Sequence, residues 1–144
     1  MASAETTEEN KQIVRRFVKD VVNGGNLDRI DEYVGENVVD HTPFGETEGR
    51  EAFRETTEAL HHAFPDIEVT LEEIISEGDT VSVRMTQRGT HDGVFLGVAP
   101  TGNSFEIKAM AFAHLEGGKV VERWVQPDLL GLMQRLGAVE MPGA

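Results

Sequence analysis

The chain has 144 residues, no cysteine and a formal net charge of −13. That length suits one domain that buries a core without disulfides or metal, and the missing cysteine excludes disulfides, thiolate nucleophiles and Cys-bound metals. Such acidity argues against nucleic-acid binding and against docking on an anionic membrane, both of which call for basic surface.

The N-terminus, MASAETTEEN, has neither a basic region nor an apolar core, so it does not read as a signal peptide. No apolar run reaches membrane-spanning length, and the expected compartment is the cytoplasm. Thr6-Thr7-Glu8-Glu9 forms a capping-box pattern. Ile13, Val14, Phe17, Val18, Val21 and Val22 then recur at helical spacing, until Asn23-Gly24-Gly25 stops the helix. Leu27 to Val34 predicts a short second helix, and Val38 to His41 a brief extended piece ended by Pro43 and Gly45. Gly49 to Ala63 predicts a third helix, with Ala52, Phe53 and Leu60 inward and Pro65 beyond its end. Acidic helix faces such as Glu51, Glu55 and Glu58 read as solvated surface. With only four Lys (11, 19, 108, 119) against nine Arg, this acidic, lysine-poor surface suggests a salt-adapted host.

The pattern then changes to period two. Ile67, Val69 and Leu71 alternate with polar residues, and the phase slips at Glu72-Glu73-Ile74-Ile75 as a bulge would produce. Gly78-Asp79 is a turn, and Val81, Val83 and Met85 alternate again. After the Gly- and Pro-rich connection GTHDGVFLGVAPTG, Phe105 to Leu115 predicts a long strand, Gly117-Gly118 a tight hairpin, and Val120 to Gln126 the return strand. Pro127-Asp128 opens a terminal helix carrying Leu129, Leu130, Leu132, Met133 and Leu136.

Helices first, then an antiparallel meander, then a closing helix predict one α+β domain over residues 1–144, with its ordered core over about residues 10–137. The expected architecture is a cone: a curved antiparallel sheet, N-terminal helices across its concave face, and an internal pocket between the layers.

The segments GTHDGVFLGVAPTGNSFEIKAMAFAHLEGGKVVERW and DLLGLMQRLG resemble the SnoaL-like polyketide cyclases, or ester cyclases, of the nuclear transport factor 2-like superfamily. NKQIVRRFVKDVVNGGNLDRIDEYV, VVDHTP and HHAFPDIEV resemble the family's helices and first strands. The resemblance covers roughly residues 10 to 137. It implies an intramolecular aldol ring closure without cofactor or metal, in which an aspartate at the end of the last strand takes the proton beside a carbonyl. That aspartate falls on Asp128, and a pocket histidine falls on His114. The resemblance also places His41 in the pocket and implies a homodimer paired through the outer sheet face.

Asp128 precedes an apolar helical run, so it can equally be an N-cap. With Gly117-Gly118 as a two-residue loop, Ala113 pairs with Glu122, Ala111 with Trp124, and Ala109 with Gln126. Cross-strand partners share a face. Trp124, Gln126 and Asp128 would then face three alanines, which leaves room for a ligand unless Trp124 fills it as core. The same register puts His114, Phe112 and Met110 on the opposite face, against the place implied for His114; a three-residue loop or a bulge would remove the conflict. His91 continues the phase of Val81, Val83 and Met85, so it is expected buried, as a pocket polar group or a structural histidine. His61 and His62 are adjacent on a helix and point apart, and no HExxH-like pairing occurs, so no metal site is expected.

The expected function is a cofactor-independent acid/base cyclase or isomerase acting on a small hydrophobic carbonyl compound. Asp128 and His114 would be catalytic, and His41, His91, Trp124, Gln126, Met110 and Phe112 would line the pocket. The competing reading is a binding protein for small hydrophobic ligands, since one cone hosts many roles.

Overall fold

The apolar stripe of the N-terminal segment builds the first helix. In the computed structural model, which describes residues 4–140, α1 runs Ala4–Phe17 and passes into a wider π-helical turn over Val18–Asn23. The first three residues of the N-terminal segment weighed above, and the last four of the chain, lie outside the described residues. The helix begins upstream of Thr6, so the capping-box residues lie within its first turns. Its stripe of Ile13, Val14, Phe17 and Val21 is buried. The turn ends where Gly24 must be glycine: a Cβ there would lie 2.6 Å from the Asp20 carbonyl oxygen. The Asn23 side chain also exchanges two hydrogen bonds with the Val69 backbone, which ties the helix end to the sheet.

The second predicted helix is shorter than expected. A 3-10 turn covers Leu27–Arg29 and α2 only Ile30–Tyr33. The β-branched Val34, Val38 and Val39 instead continue as strand β1, Val34–Thr42. After a turn at Pro43-Phe44, β2 (Gly45–Glu48) pairs back on β1, a strand not anticipated from the sequence. Then follow α3 (Arg50–Ala63), β3 (Glu68–Glu77), β4 (Thr80–Thr90), β5 (Ser104–Glu116), β6 (Lys119–Pro127) and α4 (Leu129–Arg135).

The strands form one curved, unclosed sheet in the order β2-β1-β6-β5-β4-β3. Strands β3 to β6 are the expected antiparallel meander. The phase slip at Glu72 is a register shift between Leu71 and Glu73. One pairing was not foreseen: β1 runs parallel to β6. The main core lies on the concave face, where α1, α2 and Phe53 of α3 meet the inward residues of β3 to β6. A second cluster closes one end. There Leu132 and Leu136 of α4 pack on Phe64, Phe105 and Ile107, each buried leucine contributing about 2 kcal/mol. Among the described residues no helix is long and apolar enough to cross a membrane.

Candidate functional site

Between the concave face and the helices lies a cavity of about 370 Å³, within the range typical of ligand pockets. Its floor is Val81, Val83 and Met85 of β4 with Ala111 and Ala113 of β5, and Phe17, Phe53 and Leu60 cover it. The alanines explain the space. Strand β5 alternates strictly between buried and exposed positions, and at three successive inward positions it offers only a methyl group, at Ala109, Ala111 and Ala113.

Arg123 enters this apolar space from β6. Its parallel neighbour on β1 is Asp40, whose side chain is 1% exposed. The guanidinium donates from Nε and Nη2 to the two Asp40 carboxylate oxygens, both at 2.9 Å. The Phe53 ring covers the guanidinium carbon, with its centroid 4.6 Å away. An isolated carboxylate this deep would be strongly unfavourable; the bidentate cation is what allows Asp40 to remain inside. The sequence reading passed over this pair. Its only local signal is that Asp40 keeps the phase of buried Val38, and Arg123 that of Val125.

The mouth is apolar as well. Phe44, Val94 and Leu96 line it although each is more than half exposed. Leu96 and Gly97 occupy left-handed conformations (φ 49° and 78°) between the bridged Phe95 and Val98, so a tight turn carries Leu96 at its tip. A leucine in that conformation costs about 1 kcal/mol or more. The connection is held at its root. Gly93 lies so close to the end of α3 that a Cβ would sit 2.2 Å from the His62 carbonyl oxygen, and the Asp92 and Gly93 amides donate to the Ala63 carbonyl. Just before it, the Thr90 hydroxyl and amide donate to Asp66, and the hydroxyl bond holds that carboxyl below its ordinary pKa.

Most of the residues expected in the pocket are placed differently. The hairpin starts in the expected register, Glu116 with Lys119, but a bulge follows: Leu115 pairs with Val120 and His114 with Glu122, leaving Val121 as the extra residue. Every later residue of β6 is thereby turned over. Ala113 pairs with Arg123 and Ala111 with Val125, while Phe112 pairs with Trp124 and Met110 with Gln126. The bulge does unite His114 with Trp124, but on the convex face, away from the helices. There Trp124 stacks on His41 (centroids 5.1 Å apart, 6° between planes) and meets His114 edge-on at 5.0 Å. His41 also bonds Glu122 through Nε2 at 2.8 Å and Glu46 through Nδ1 at 3.1 Å. Met110, Phe112, His114 and Gln126 are solvent-exposed, although Phe112, as expected, also borders the cavity. Thus the inward members of β6 are Arg123 and Val125, not Trp124 and Gln126.

His91 is fully buried, as its phase predicts, but it is not among the cavity-lining residues. Its Nδ1 meets the Thr101 hydroxyl at 3.0 Å and its ring packs on Phe64. Asp128 is exposed and follows directly on Pro127, which lines the cavity. It caps α4: its Oδ1 accepts from the Gly131 amide at 2.9 Å. Gly131 makes that approach feasible, since a Cβ there would lie 2.2 Å from Asp128 Oδ2.

The family model for SnoaL-like polyketide cyclases matches residues 12–136. The chain belongs to the SnoaL-like polyketide cyclase family. It is 32% identical over 132 residues to the aklanonic acid methyl ester cyclase DnrD of Streptomyces peucetius, covering 87% of this chain and 88% of that one. Its fold matches that of a protein described as a SnoaL-like polyketide cyclase from Jannaschia sp. CCS1, with TM-score 0.89, 26% identity and coverage of 97% and 99%. It also matches AclR of Streptomyces galilaeus, described as a hydroxylase, with TM-score 0.83, 28% identity and coverage of 94% and 89%.

Proposed function

We propose that this protein is a cyclase that closes a ring in a small hydrophobic carbonyl compound by acid/base chemistry, without cofactor, in the concave cavity. The observation that carries this reading is the apolar cavity, whose lining ends on β6 at Pro127, the residue before Asp128. Asp128 follows a lining residue, and only one of its oxygens is committed to the cap; Oδ2 has no hydrogen-bond partner among the described residues. In the proposed cycle that oxygen takes a proton from the carbon beside a carbonyl. The resulting enolate carbon attacks a second carbonyl carbon of the same molecule, and the new alkoxide takes a proton back. Apolar walls keep water from competing for the enolate. On the convex face, His114 is too far removed to assist within one chain, so the proposal rests on Asp128 alone.

Aklanonic acid methyl ester, the compound named for the relatives, is the first substrate to try. Ring closure of this kind conserves mass, so the product is a species of equal mass and new retention time in chromatography coupled to mass spectrometry. Asp128→Asn keeps an N-cap acceptor and should abolish that conversion while the fold persists. A fully active Asn variant would sink the assignment. The exposure of Asp128 and its use as a cap favour a second reading, a binding protein without chemistry; ligand bound tightly and recovered unchanged would select it.

The convex face supports a homodimer. Ile75, Met110 and Phe112 are each more than half exposed there, beside Trp124. A second copy would cover this apolar strip, and sedimentation equilibrium would detect the pairing.

A further inference from the structure

We propose that Arg123 is the ligand anchor of this cavity, and that the ligand it selects is an apolar body bearing a neutral carbonyl oxygen. The inference rests on the reading of the concave cavity as the ligand site, not on the chemistry assigned to Asp128. Among the described residues, Arg123 is the one charged side chain that lines the cavity. Its guanidinium is already partly used. Nε and Nη2 are bound to Asp40, and one face lies against Phe53. Nη1 has no hydrogen-bond partner among the described residues, and the side chain is still 23% exposed. Three N–H groups of a fixed cation, both of Nη1 and one of Nη2, are therefore left over for whatever fills the cavity. The clamp from Asp40 and Phe53 holds them in place before a ligand arrives, so little rotamer freedom is lost on binding.

The charge balance decides the kind of oxygen. Asp40 already neutralises Arg123, so a carboxylate entering this apolar space would be stripped of water for little net attraction. A ketone or ester oxygen loses far less water and still accepts a charge-assisted bond. Position adds a second constraint. Four residue steps, about 13 Å of extended strand, lead from Arg123 to Pro127, the lining residue before Asp128. The oxygen held at Arg123 and the carbon approached by Asp128 therefore belong to different ends of one ligand.

The test uses three probes of nearly equal shape: 2-acetylnaphthalene, 2-ethylnaphthalene and 2-naphthoate. Each is titrated against the neutral fluorescent dye N-phenyl-1-naphthylamine bound to the full chain. Wild type should hold the ketone about tenfold more tightly than the hydrocarbon, and the naphthoate no more tightly than the ketone. Arg123→Gln alone strands a buried carboxylate, so the informative variant is Asp40→Asn with Arg123→Gln, which keeps two amides of similar size. In that variant the ketone preference should fall to about unity with hydrocarbon binding unchanged. Equal binding of ketone and hydrocarbon by wild type, binding of neither, tighter binding of naphthoate, or a tenfold preference surviving in the double variant would each overturn the proposal. Asp128→Asn should keep the preference intact, so a failure of the cyclase reading leaves this result standing and is told apart from it.

Discussion

Strand β5 presents two different surfaces from one run of residues. Toward the helices it offers Ala109, Ala111 and Ala113; toward the outside it offers Met110, Phe112 and His114. On β6 the contrast repeats, with Arg123 and Val125 inside and Trp124 and Gln126 outside. Over residues 109–113 the roofed side of β5 thus carries only methyl groups, while the unroofed side carries large side chains. A roofed face floored with methyl groups becomes a cavity. An unroofed face with rings and a thioether becomes a surface that a second copy can cover. The polar groups divide in the same way: inside, one bidentate pair with one edge to spare; outside, histidine and glutamate in partly exposed clusters whose individual bonds contribute little.

The sharpest way to break this contrast is to open the inner pair. Arg123→Ala leaves Asp40 buried without a cation and should cost about 3–5 kcal/mol in urea unfolding. The double variant Asp40→Asn, Arg123→Gln should lose less than half as much. A loss under about 1 kcal/mol for Arg123→Ala would mean that Asp40 is hydrated and the pair is no part of the interior. Next in size is Ala111→Phe, which puts on the inner face what the outer face carries next door. It should occupy the cavity and lower the affinity for N-phenyl-1-naphthylamine more than tenfold, with overpacking costing about 1–3 kcal/mol. Unchanged dye binding would place the ligand elsewhere. Met110→Glu makes the converse test on the outer face. Dye binding should stay within about twofold and stability within about 0.5 kcal/mol, while sedimentation equilibrium shows a dimer weakened at least tenfold.

The smallest effect concerns Asp66, which holds Thr90 before the mouth connection. Its carboxyl is shifted down by the Thr90 hydroxyl. A lowered folded-state value means that its stabilisation is full above the ordinary carboxylate value of about 3.9 and disappears as pH falls through the folded value. Thr90→Val should therefore lower the melting temperature slightly at pH 6. The gap to wild type should begin to narrow below about pH 4 and close once the pH lies below the folded value of Asp66, and a gap that persists below that value would assign the effect to packing.

Much of the frame was legible in the chain because it depends on local periodicity. The helical stripe from Ile13 to Val21, the alternation of β5, the Gly117-Gly118 turn and the bulge at Glu72 all follow from spacing within a few residues. Asp128 was legible as a helix cap in the same manner. The site itself was much less legible. Its two charged members lie 83 residues apart and meet only because β1 adds to the sheet parallel to β6. Nothing in VVDHTP announces which strand it will join.

What the sequence determined by itself is the order of the elements, the curvature-inducing slip in β3, the alanine floor and membership of the family. Tertiary structure decided which side of the floor receives which neighbours. One unpaired residue, Val121, turned Trp124 and Gln126 outward and Arg123 inward. A strand's side chains alternate with period two, so a single inserted residue exchanges its faces. Whether a hairpin admits that insertion depends on the strands and helices packed around it, beyond the reach of its own residues.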